Sequence, residues 1–291
     1  MSQLSETVER LSATLGPAEG EPAPLEGGIT NRNYRLRFGG REVVVRMPGK
    51  DTGMLGIDRS AERAANECAA RAGMAPGVAA MLEDPPCLVT DFVEGEAMSA
   101  EQLRRPEGLA EVAVALRKLH GCGETLPSEF SAFRVVETYA ERARSRGAKV
   151  PADFGPAHKA AAAIEAALAA RGEPPVPCHN DLLAANFIDS PEGLRIVDWE
   201  YAGMGDRWFD LGNFAVNNEL GPAEEERFLA AYLGRAPEPS DLRALRSMRF
   251  MSDFREAMWA VLQGTLSDLD FDFAAYAAKH FKRLEDFGAK S

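Results

Sequence analysis

The sequence predicts an α+β fold, in which a small antiparallel sheet precedes a mostly helical region. Residues 33–38 alternate in polarity, and residues 42–46 form a valine-rich segment after a Gly-Gly pair, which is typical of a β-hairpin. Residues 78–82 and 87–93 are apolar runs on either side of a Pro-Pro turn and predict two further strands. From about residue 99 onward, apolar residues recur at helical spacing, so we expect helices there.

The composition and net charge of the chain disfavour several classes of partner and site. The chain has 291 residues, of which 45% are hydrophobic and 27% are charged, as in an ordinary globular protein. The net charge of −12 disfavours nucleic acid as a general partner. The four cysteines are scattered without a C-x-x-C pair, so neither a zinc site nor a disulfide framework is predicted. The N-terminus lacks signal-peptide character and no apolar run reaches the roughly 18 residues of a membrane span, so we expect a cytoplasmic protein without membrane insertion.

The segments around the first hairpin are predicted from local pattern. Residues 3–15 carry leucine and valine at helical spacing and predict a short helix. Residues 16–24 are rich in Pro, Gly and Glu, and we interpret them as a mobile connector. After the hairpin, Asp58 opens a predicted helix that runs to about Arg71.

The remainder of the chain combines helices with one hairpin. The predicted helices cover residues 107–119, 131–146, 155–171, 207–218, 222–233, 239–267 and 271–287. Two short strands, at about 186–189 and 194–198, flank a Ser-Pro-Glu-Gly turn. This second hairpin directly follows a polar stretch that holds most of the candidate catalytic residues.

His179, Asp181 and Asn186 stand in the spacing H-x-D-x-x-x-x-N, and Asp198 ends the second strand of the hairpin. The hairpin would bring Asn186 and Asp198 near one another, with Asp181 on the loop just before. One carboxylate could then accept a proton, while an amide oxygen and a second carboxylate could hold Mg²⁺, which prefers oxygen ligands. Phosphoryl transfer from ATP requires these parts, because its catalysis depends mostly on positioning and charge neutralisation.

The stretch resembles the catalytic loop and metal hairpin of the protein-kinase-like fold. Asn180 stands where protein kinases have Arg, and Asp198-Trp199-Glu200 replaces their Asp-Phe-Gly, so the stretch is most similar to the choline/ethanolamine kinases. The resemblance covers about residues 25–287 and implies a bilobal fold. We expect an N-terminal lobe at 1–92, a helical lobe at 93–291, and ATP between them.

The resemblance also implies roles on the nucleotide side. The segment GGITNRNY is similar to the phosphate-covering loop of choline kinases, and Arg46 takes the place of the phosphate-binding Lys of protein kinases. A helix carboxylate is expected to pair with Arg46, and either Glu67 or Glu62 could supply it. The implied nucleotide contacts are Gly28, Thr30, Asn31, Arg46, and the backbone of Asp91 and Val93 facing adenine.

On the acceptor side, the resemblance implies a small cationic amino alcohol. Aromatic faces and carboxylates recognise an ammonium group, and the implied contacts are Glu200, Tyr201, Trp259 and Tyr276. Two positions depart from the family pattern: Glu256 stands near a second pocket Trp, and Asn217 near a pocket Glu. Choline and ethanolamine are therefore both left open.

We predict an ATP- and Mg²⁺-dependent kinase of a small amino alcohol, most favourably choline. In this prediction Asp181 is the base, Asn186 and Asp198 hold Mg²⁺, and Arg46 neutralises phosphate charge. Ethanolamine, thiamine or an aminoglycoside are alternative acceptors, since one fold supports many substrates. A catalytically inactive nucleotide-binding scaffold is the alternative from another class, although all four of these polar residues are present. The sequence does not define an oligomeric state.

Overall fold

The structure of the protein is a computed structural model that describes residues 3–25, 31–49, 52–267 and 269–288. The chain divides into two compact units. The first unit comprises residues 1–98 and 185–200, and the second comprises residues 99–184 and 201–291. The helices are α1 Gln3–Leu15, α2 Arg59–Arg71, α3 Ala100–Arg104, α4 Pro106–His120, α5 Ala132–Ser145, α6 Phe154–Ala169, α7 Arg207–Asn217, α8 Pro222–Leu233, α9 Pro239–Gln263 and α10 Phe273–Gly288. The strands are β1 Ala18–Leu25, β2 Asn31–Phe38, β3 Arg41–Pro48, β4 Val78–Glu83, β5 Pro86–Asp91, β6 Glu96–Ala97, β7 Val176–Cys178, β8 Phe187–Ser190, β9 Gly193–Ile196 and β10 Gly203–Gly205.

The first unit is built on a five-stranded antiparallel sheet with the order β1-β2-β3-β5-β4. The predicted hairpin is confirmed as β2 and β3, which pair from Asn31 with Pro48 to Phe38 with Arg41. Side chains on one face of the sheet are buried together with one face of α1. This core contains Leu11, Leu36, Phe38, Val43, Val45, Met47, Cys87 and Val89.

The connector predicted at residues 16–24 is wrong, because residues 18–25 form β1. This strand lies at the edge of the sheet and pairs only with β2 among the described strands. An edge strand tolerates proline and glycine, since one row of its backbone groups faces away from the ladder. The Pro- and Gly-rich composition of these residues therefore did not predict a strand.

The second predicted hairpin is confirmed as β8 and β9, which pair from Phe187 with Ile196 to Ser190 with Gly193. The two-residue strand β6 adds to the free edge of β8. Gly95, just before β6, has φ of 144°, and a Cβ atom there would lie 2.2 Å from the Asp189 carbonyl oxygen. Only glycine fits this close backbone approach.

The second unit is mostly helical, as predicted. Its longest helix, α9, is buried over most of its length and packs against α5, α7 and α10. It ends at Gln263, four residues earlier than predicted, and α10 starts at Phe273. The strands β7 and β10 pair antiparallel, and each is too short to show a periodic pattern in the sequence. Among the described residues, none of the helices has the combined length and apolar character that crossing a membrane requires.

Candidate active site

The loop that carries Asp181 is held by the start of α7. Asp210, on α7, accepts the backbone N–H of His179 at 2.9 Å and that of Asn180 at 2.7 Å. His120 lies 3.1 Å from the same carboxylate through Nε2. Asn180 has φ of 68°, a left-handed conformation that an Asn residue adopts more readily than most. The loop backbone is therefore fixed by buried hydrogen bonds.

Two asparagines fix the next part of the loop. Asn213 accepts the backbone N–H of Leu182 at 2.5 Å and donates to the Ser252 hydroxyl at 2.9 Å. Asn218 donates from Nδ2 to the carbonyl oxygen of Leu182 at 3.2 Å. All three polar side chains are buried. Asp181 thus projects from a backbone that is bound on both sides.

Asp181 contacts a buried arginine that the sequence analysis did not identify. Arg255 donates from Nη1 to Asp181 Oδ1 at 3.1 Å and to Glu256 Oε1 at 2.6 Å. Its guanidinium carbon lies 4.3 Å from the centroid of the Tyr201 ring. The side chain of Arg255 is 1% exposed and that of Asp181 is 14% exposed. The signal that could have identified this residue is the charged Arg-Glu pair directly before the apolar last two turns of α9.

Burial and the neighbouring charges shift the pKa of Arg255 in opposite directions. Burial alone would lower the pKa of its guanidinium, but the carboxylates of Glu256 and Asp181 outweigh this effect and raise the pKa well above its ordinary value. Arg255 is therefore charged at every physiological pH. Asp181 therefore always has a positively charged neighbour, Arg255.

Trp259 and Tyr276 belong to an aromatic cluster formed by Trp259, Phe271, Phe273 and Tyr276. The ring centroids of Trp259 and Tyr276 are 6.1 Å apart in an edge-to-face arrangement. The Tyr276 hydroxyl donates to Glu256 Oε2 at 3.1 Å. Burial, followed by the charge of Glu256, raises the pKa of this hydroxyl far above its ordinary value. The second unit thus connects Asp181, Tyr201, Trp259 and Tyr276 through Arg255 and Glu256.

Asn186 and Asp198 lie at the ends of the β8–β9 hairpin in the first unit. The backbone N–H of Val197 donates to the Asn186 carbonyl oxygen at 2.9 Å, which joins the two chain segments. Asp198 has φ of 68° and directly follows this contact. An amide oxygen and a carboxylate are the hard oxygen ligands that Mg²⁺ prefers, so this donor set fits the predicted metal.

Arg46 on β3 links Asp198 to α2. Its Nη1 atom lies 2.5 Å from Asp198 Oδ1 and 2.8 Å from Glu62 Oε1. Burial alone would lower the pKa of Arg46, but the charges of Asp198, Glu62 and Glu200 raise it above its ordinary value. Of the two helix carboxylates left open by the sequence, Glu62 is the partner. Glu67 is partly exposed, with 38% of its side chain accessible, and pairs with Arg63 at 2.8 Å.

Asn31 and Glu200 belong to the same buried network. Asn31 donates from Nδ2 to Glu200 Oε2 at 2.8 Å and accepts from Arg59 Nη2 at 2.6 Å. Arg59 also pairs with Glu62 at 2.5 Å and with Glu200 at 3.3 Å. Burial, together with the charge of Asp198, raises the pKa of Glu200 from its ordinary value of 4.5 to about 8. Its role as an ammonium contact stays a prediction.

Other predicted nucleotide contacts are less defined. Gly28 and Thr30 lie outside the described residues. The backbone N–H of Asp91 donates to the Gly77 carbonyl oxygen at 2.8 Å, and its carboxylate pairs with Arg41. The adenine contacts predicted for Asp91 and Val93 stay predictions.

A second group of potential metal ligands is structural. His120, Cys178 and Asp210 place their ligand atoms within 4.8 Å of one another in a buried position. Both carboxylate oxygens of Asp210 already accept hydrogen bonds from the catalytic-loop backbone. Burial raises the pKa of the Cys178 thiol well above its ordinary value, so this thiol is neutral. This group therefore supports the loop.

Comparisons with known proteins identify the family of the chain. Residues 21–250 match the APH family, described as a phosphotransferase enzyme family. The rat protein named ethanolamine kinase 2 is 30% identical over 267 residues, which represent 83% of this chain and 68% of the rat protein. A crystal structure of a choline/ethanolamine kinase family protein from Mesorhizobium loti aligns with 98% of this chain and 95% of its own, at 31% identity and a TM-score of 0.83.

A more distant relative confirms the fold. The crystal structure of choline kinase LicA from Streptococcus pneumoniae covers 100% of both chains at 23% identity, with a TM-score of 0.84. A structure of LicA in complex with AMP covers 99% of both chains at 24% identity, with a TM-score of 0.79. The predicted α+β, protein-kinase-like fold is thus confirmed.

The family match and the relatives together define the enzyme class. The chain is a kinase that phosphorylates the hydroxyl group of an amino alcohol. It belongs to the choline/ethanolamine kinase family, within the phosphotransferase enzymes of the protein-kinase-like fold.

Proposed function

We propose that this kinase transfers the γ-phosphoryl group of ATP to the hydroxyl group of choline and forms phosphocholine. The observation that carries this proposal is the aromatic cluster of the second unit. Trp259 and Tyr276 pack edge to face at 6.1 Å, and Tyr276 is hydrogen-bonded to a carboxylate that is joined through Arg255 to Asp181. Aromatic faces near negative charge attract a quaternary ammonium group through cation–π interaction.

In the proposed mechanism, Asp181 accepts the proton of the choline hydroxyl. The choline oxygen then bonds to the γ-phosphorus, and the bond between that phosphorus and the β,γ-bridging oxygen breaks. Asp181 is suited to this role because the loop that carries it is fixed by Asp210 and Asn213. A general base must be held within hydrogen-bond reach of the proton that it removes.

The first unit supplies the residues for phosphate charge. Arg46 stays charged because Asp198 and Glu62 flank it, so it can neutralise phosphate oxygens. Asn186 and Asp198 would hold Mg²⁺, which neutralises charge on the transferred phosphoryl group when bound. Asn31 begins β2, and its hydrogen bonds to Glu200 and Arg59 fix the first residue of that strand.

Ethanolamine is the second candidate acceptor, and one observation favours it. Glu256 places a carboxylate next to Tyr276, where the family resemblance implied an additional aromatic side chain. A primary ammonium group can donate hydrogen bonds to a carboxylate, whereas a quaternary ammonium group has no N–H to donate. Choline is proposed first because the cluster contains four aromatic rings. Aromatic rings favour a quaternary ammonium group, whereas hydrogen bonding to ethanolamine would not need them.

The test is a methylation series of acceptors. We would measure kcat/KM for ethanolamine, its N-methyl and N,N-dimethyl derivatives, and choline, at fixed Mg²⁺ and ATP. The proposal predicts an increase along the series, by roughly tenfold or more from the first member to the last, as cation–π contacts replace hydrogen bonds. A decrease along the series would assign ethanolamine instead. Turnover only on thiamine or an aminoglycoside would refute both candidates.

A further inference from the structure

The feature that the proposed mechanism leaves unused is Arg255. We propose that Arg255 is a positioning residue for phosphoryl transfer, which orients the Asp181 carboxylate and is itself held by Glu256 and Tyr276. This inference rests on the proposed role of Asp181 as the base. It concerns a residue that contacts Asp181 and acts through it.

The contacts of Arg255 restrict the Asp181 carboxylate in two ways. One is the hydrogen bond of 3.1 Å from Nη1 to Oδ1, and the other is the cation–π contact of the guanidinium carbon, 4.3 Å from the centroid of the Tyr201 ring. The contact holds the guanidinium over the face of the ring, because a cation is attracted to the negative face of an aromatic ring. A donor held in place on one side defines the direction from which it binds its acceptor, and this direction orients Asp181.

Arg255 is itself held by further hydrogen bonds and ring contacts. Glu256 accepts from Arg255 through one oxygen and from Tyr276 through the other. The Tyr276 ring lies 4.5 Å from the ring of His280, whose Nδ1 atom is 2.7 Å from Asp253. A continuous set of buried and partly buried contacts therefore runs from α10 through α9 to Asp181.

Arg255 also sets the charge around the base. Asp181 and Glu256 contribute two negative charges, and Arg255 contributes one positive charge. The three groups therefore carry a net charge of −1, by the sum −1 −1 +1. Replacing Arg255 by a neutral residue would make this sum −2, which would not weaken the attraction for a cationic acceptor. Orientation and acceptor binding can thus be separated experimentally.

Burial of the Arg255 side chain lowers the free energy of unfolding, so stability alone does not explain its position. The side chain is 1% exposed, and its Nε atom has no hydrogen-bond partner among the residues that the structure describes. An unsatisfied buried donor reduces stability, and such groups are retained mainly where function needs them. A buried salt bridge is weak support for a purely stabilising role.

The chain offers a matched control on the same helix. Arg249 on α9 pairs with the buried carboxylate of Glu225 on α8 and donates to the Leu220 carbonyl oxygen. Arg249→Gln therefore removes a similar ion pair whose partners lie on and before α8. Both this variant and the Arg255 variants are expected to lower the melting temperature. Only the Arg255 variants should change the chemical step.

The experiment begins with steady-state kinetics of the wild-type enzyme on choline and ethanolamine. Absence of turnover on both would refute the proposed function itself. With an active wild type, Arg255→Gln and Arg255→Lys are compared with Arg249→Gln at a temperature where all are folded. We expect Arg255→Gln to lower kcat by about 100-fold, the order of loss that results from misplacing a catalytic group. KM for ATP should stay within about twofold, and the fold-loss in kcat should exceed any change in KM for the amino alcohol.

Two further variants test the same role of Arg255. Arg255→Lys should recover part of kcat, because it keeps the charge but loses the planar geometry. If Arg255→Gln does not fold, Glu256→Gln decides, because it weakens the support of Arg255 and should lower kcat by roughly tenfold. An unchanged kcat in the folded Arg255 variants, or a loss no greater than that of Arg249→Gln, would overturn the inference and leave the proposed function intact.

Discussion

Arg46 and Asp198 are joined by a hydrogen bond of 2.5 Å between Nη1 and Oδ1, across 152 positions of the sequence. The same nitrogen binds Glu62 on α2 at 2.8 Å. The predicted phosphate-binding cation and a predicted metal ligand are therefore parts of one network. Its remaining members are Arg59, Asn31 and Glu200. The first three predictions test this network.

Asp198→Ala should weaken binding of the Mg²⁺ complex of a non-hydrolysable ATP analogue by at least about tenfold. The affinity should also lose its dependence on Mg²⁺, because a proposed metal ligand is missing. Titration calorimetry with and without Mg²⁺ measures both effects. Asp189→Ala removes an exposed carboxylate from β8 of the same hairpin and serves as the control. Equal affinities in the wild type and Asp198→Ala would remove Asp198 from the metal site.

Glu62→Gln should lower the free energy of unfolding by roughly 2–3 kcal/mol, because the buried Arg59 and the largely buried Arg46 each lose a charged acceptor. Glu67→Gln is the matched control on the same helix. Its exposed pair with Arg63 should contribute less than about 0.5 kcal/mol. Urea unfolding of both variants measures the difference. Comparable losses in the two variants would contradict the assigned partner of Arg46.

Glu200→Gln should change how stability depends on pH. The pKa of Glu200 is raised to about 8 in the folded protein, from an ordinary value of 4.5. The folded state therefore binds a proton more tightly than the unfolded state between these values. The stabilisation from this proton is complete below about pH 4.5 and is lost as the pH rises through about 8.

The measurement is unfolding of the wild type and Glu200→Gln across this pH range. The wild type should lose stability relative to the variant by up to about 1.4 kcal/mol per pH unit as the pH increases. Parallel stability curves would show that Glu200 titrates normally. A relative gain in wild-type stability with rising pH would reverse the sign and refute the assignment.

Trp259→Leu should raise KM for the amino alcohol by roughly tenfold and leave KM for ATP unchanged, because it removes a cation–π surface. Phe281→Leu is the control, since Phe281 is a buried aromatic residue on α10. Its ring centroid lies 6.2 Å from that of Phe254. It should lower stability without changing KM for the amino alcohol. Steady-state kinetics with both substrates varied would detect the difference. An unchanged KM in Trp259→Leu would assign Trp259 to the core alone.

The sequence predicted those parts of the fold that local pattern determines. The hairpin of β2 and β3 has alternating residues and a Gly-Gly turn, and β8 and β9 flank a Ser-Pro-Glu-Gly turn. By contrast, β1 is rich in Pro and Glu and is stabilised by pairing with β2. Local composition does not report such pairing, so this strand was interpreted as a connector.

The catalytic motif was recognisable because its residues are close in sequence. The contacts that complete the site are long-range, as between Arg255 and Asp181, which are 74 positions apart. The choice between Glu62 and Glu67 also depended on tertiary structure. These residues are five positions apart on α2 and so face different directions, and only the packing of α2 determines which one meets Arg46.

The most direct test of the central account is transfer of phosphate from ATP to an amino alcohol by the wild type and by Asp181→Asn. Phosphorus NMR would follow formation of the phosphorylated product in the presence of Mg²⁺. The account predicts phosphocholine from the wild type and a loss of kcat of about 100-fold or more in Asp181→Asn, which still binds ATP. Turnover by Asp181→Asn close to that of the wild type would contradict the assignment of Asp181 as the base. Absence of product from any amino alcohol with the wild type would contradict the proposed reaction.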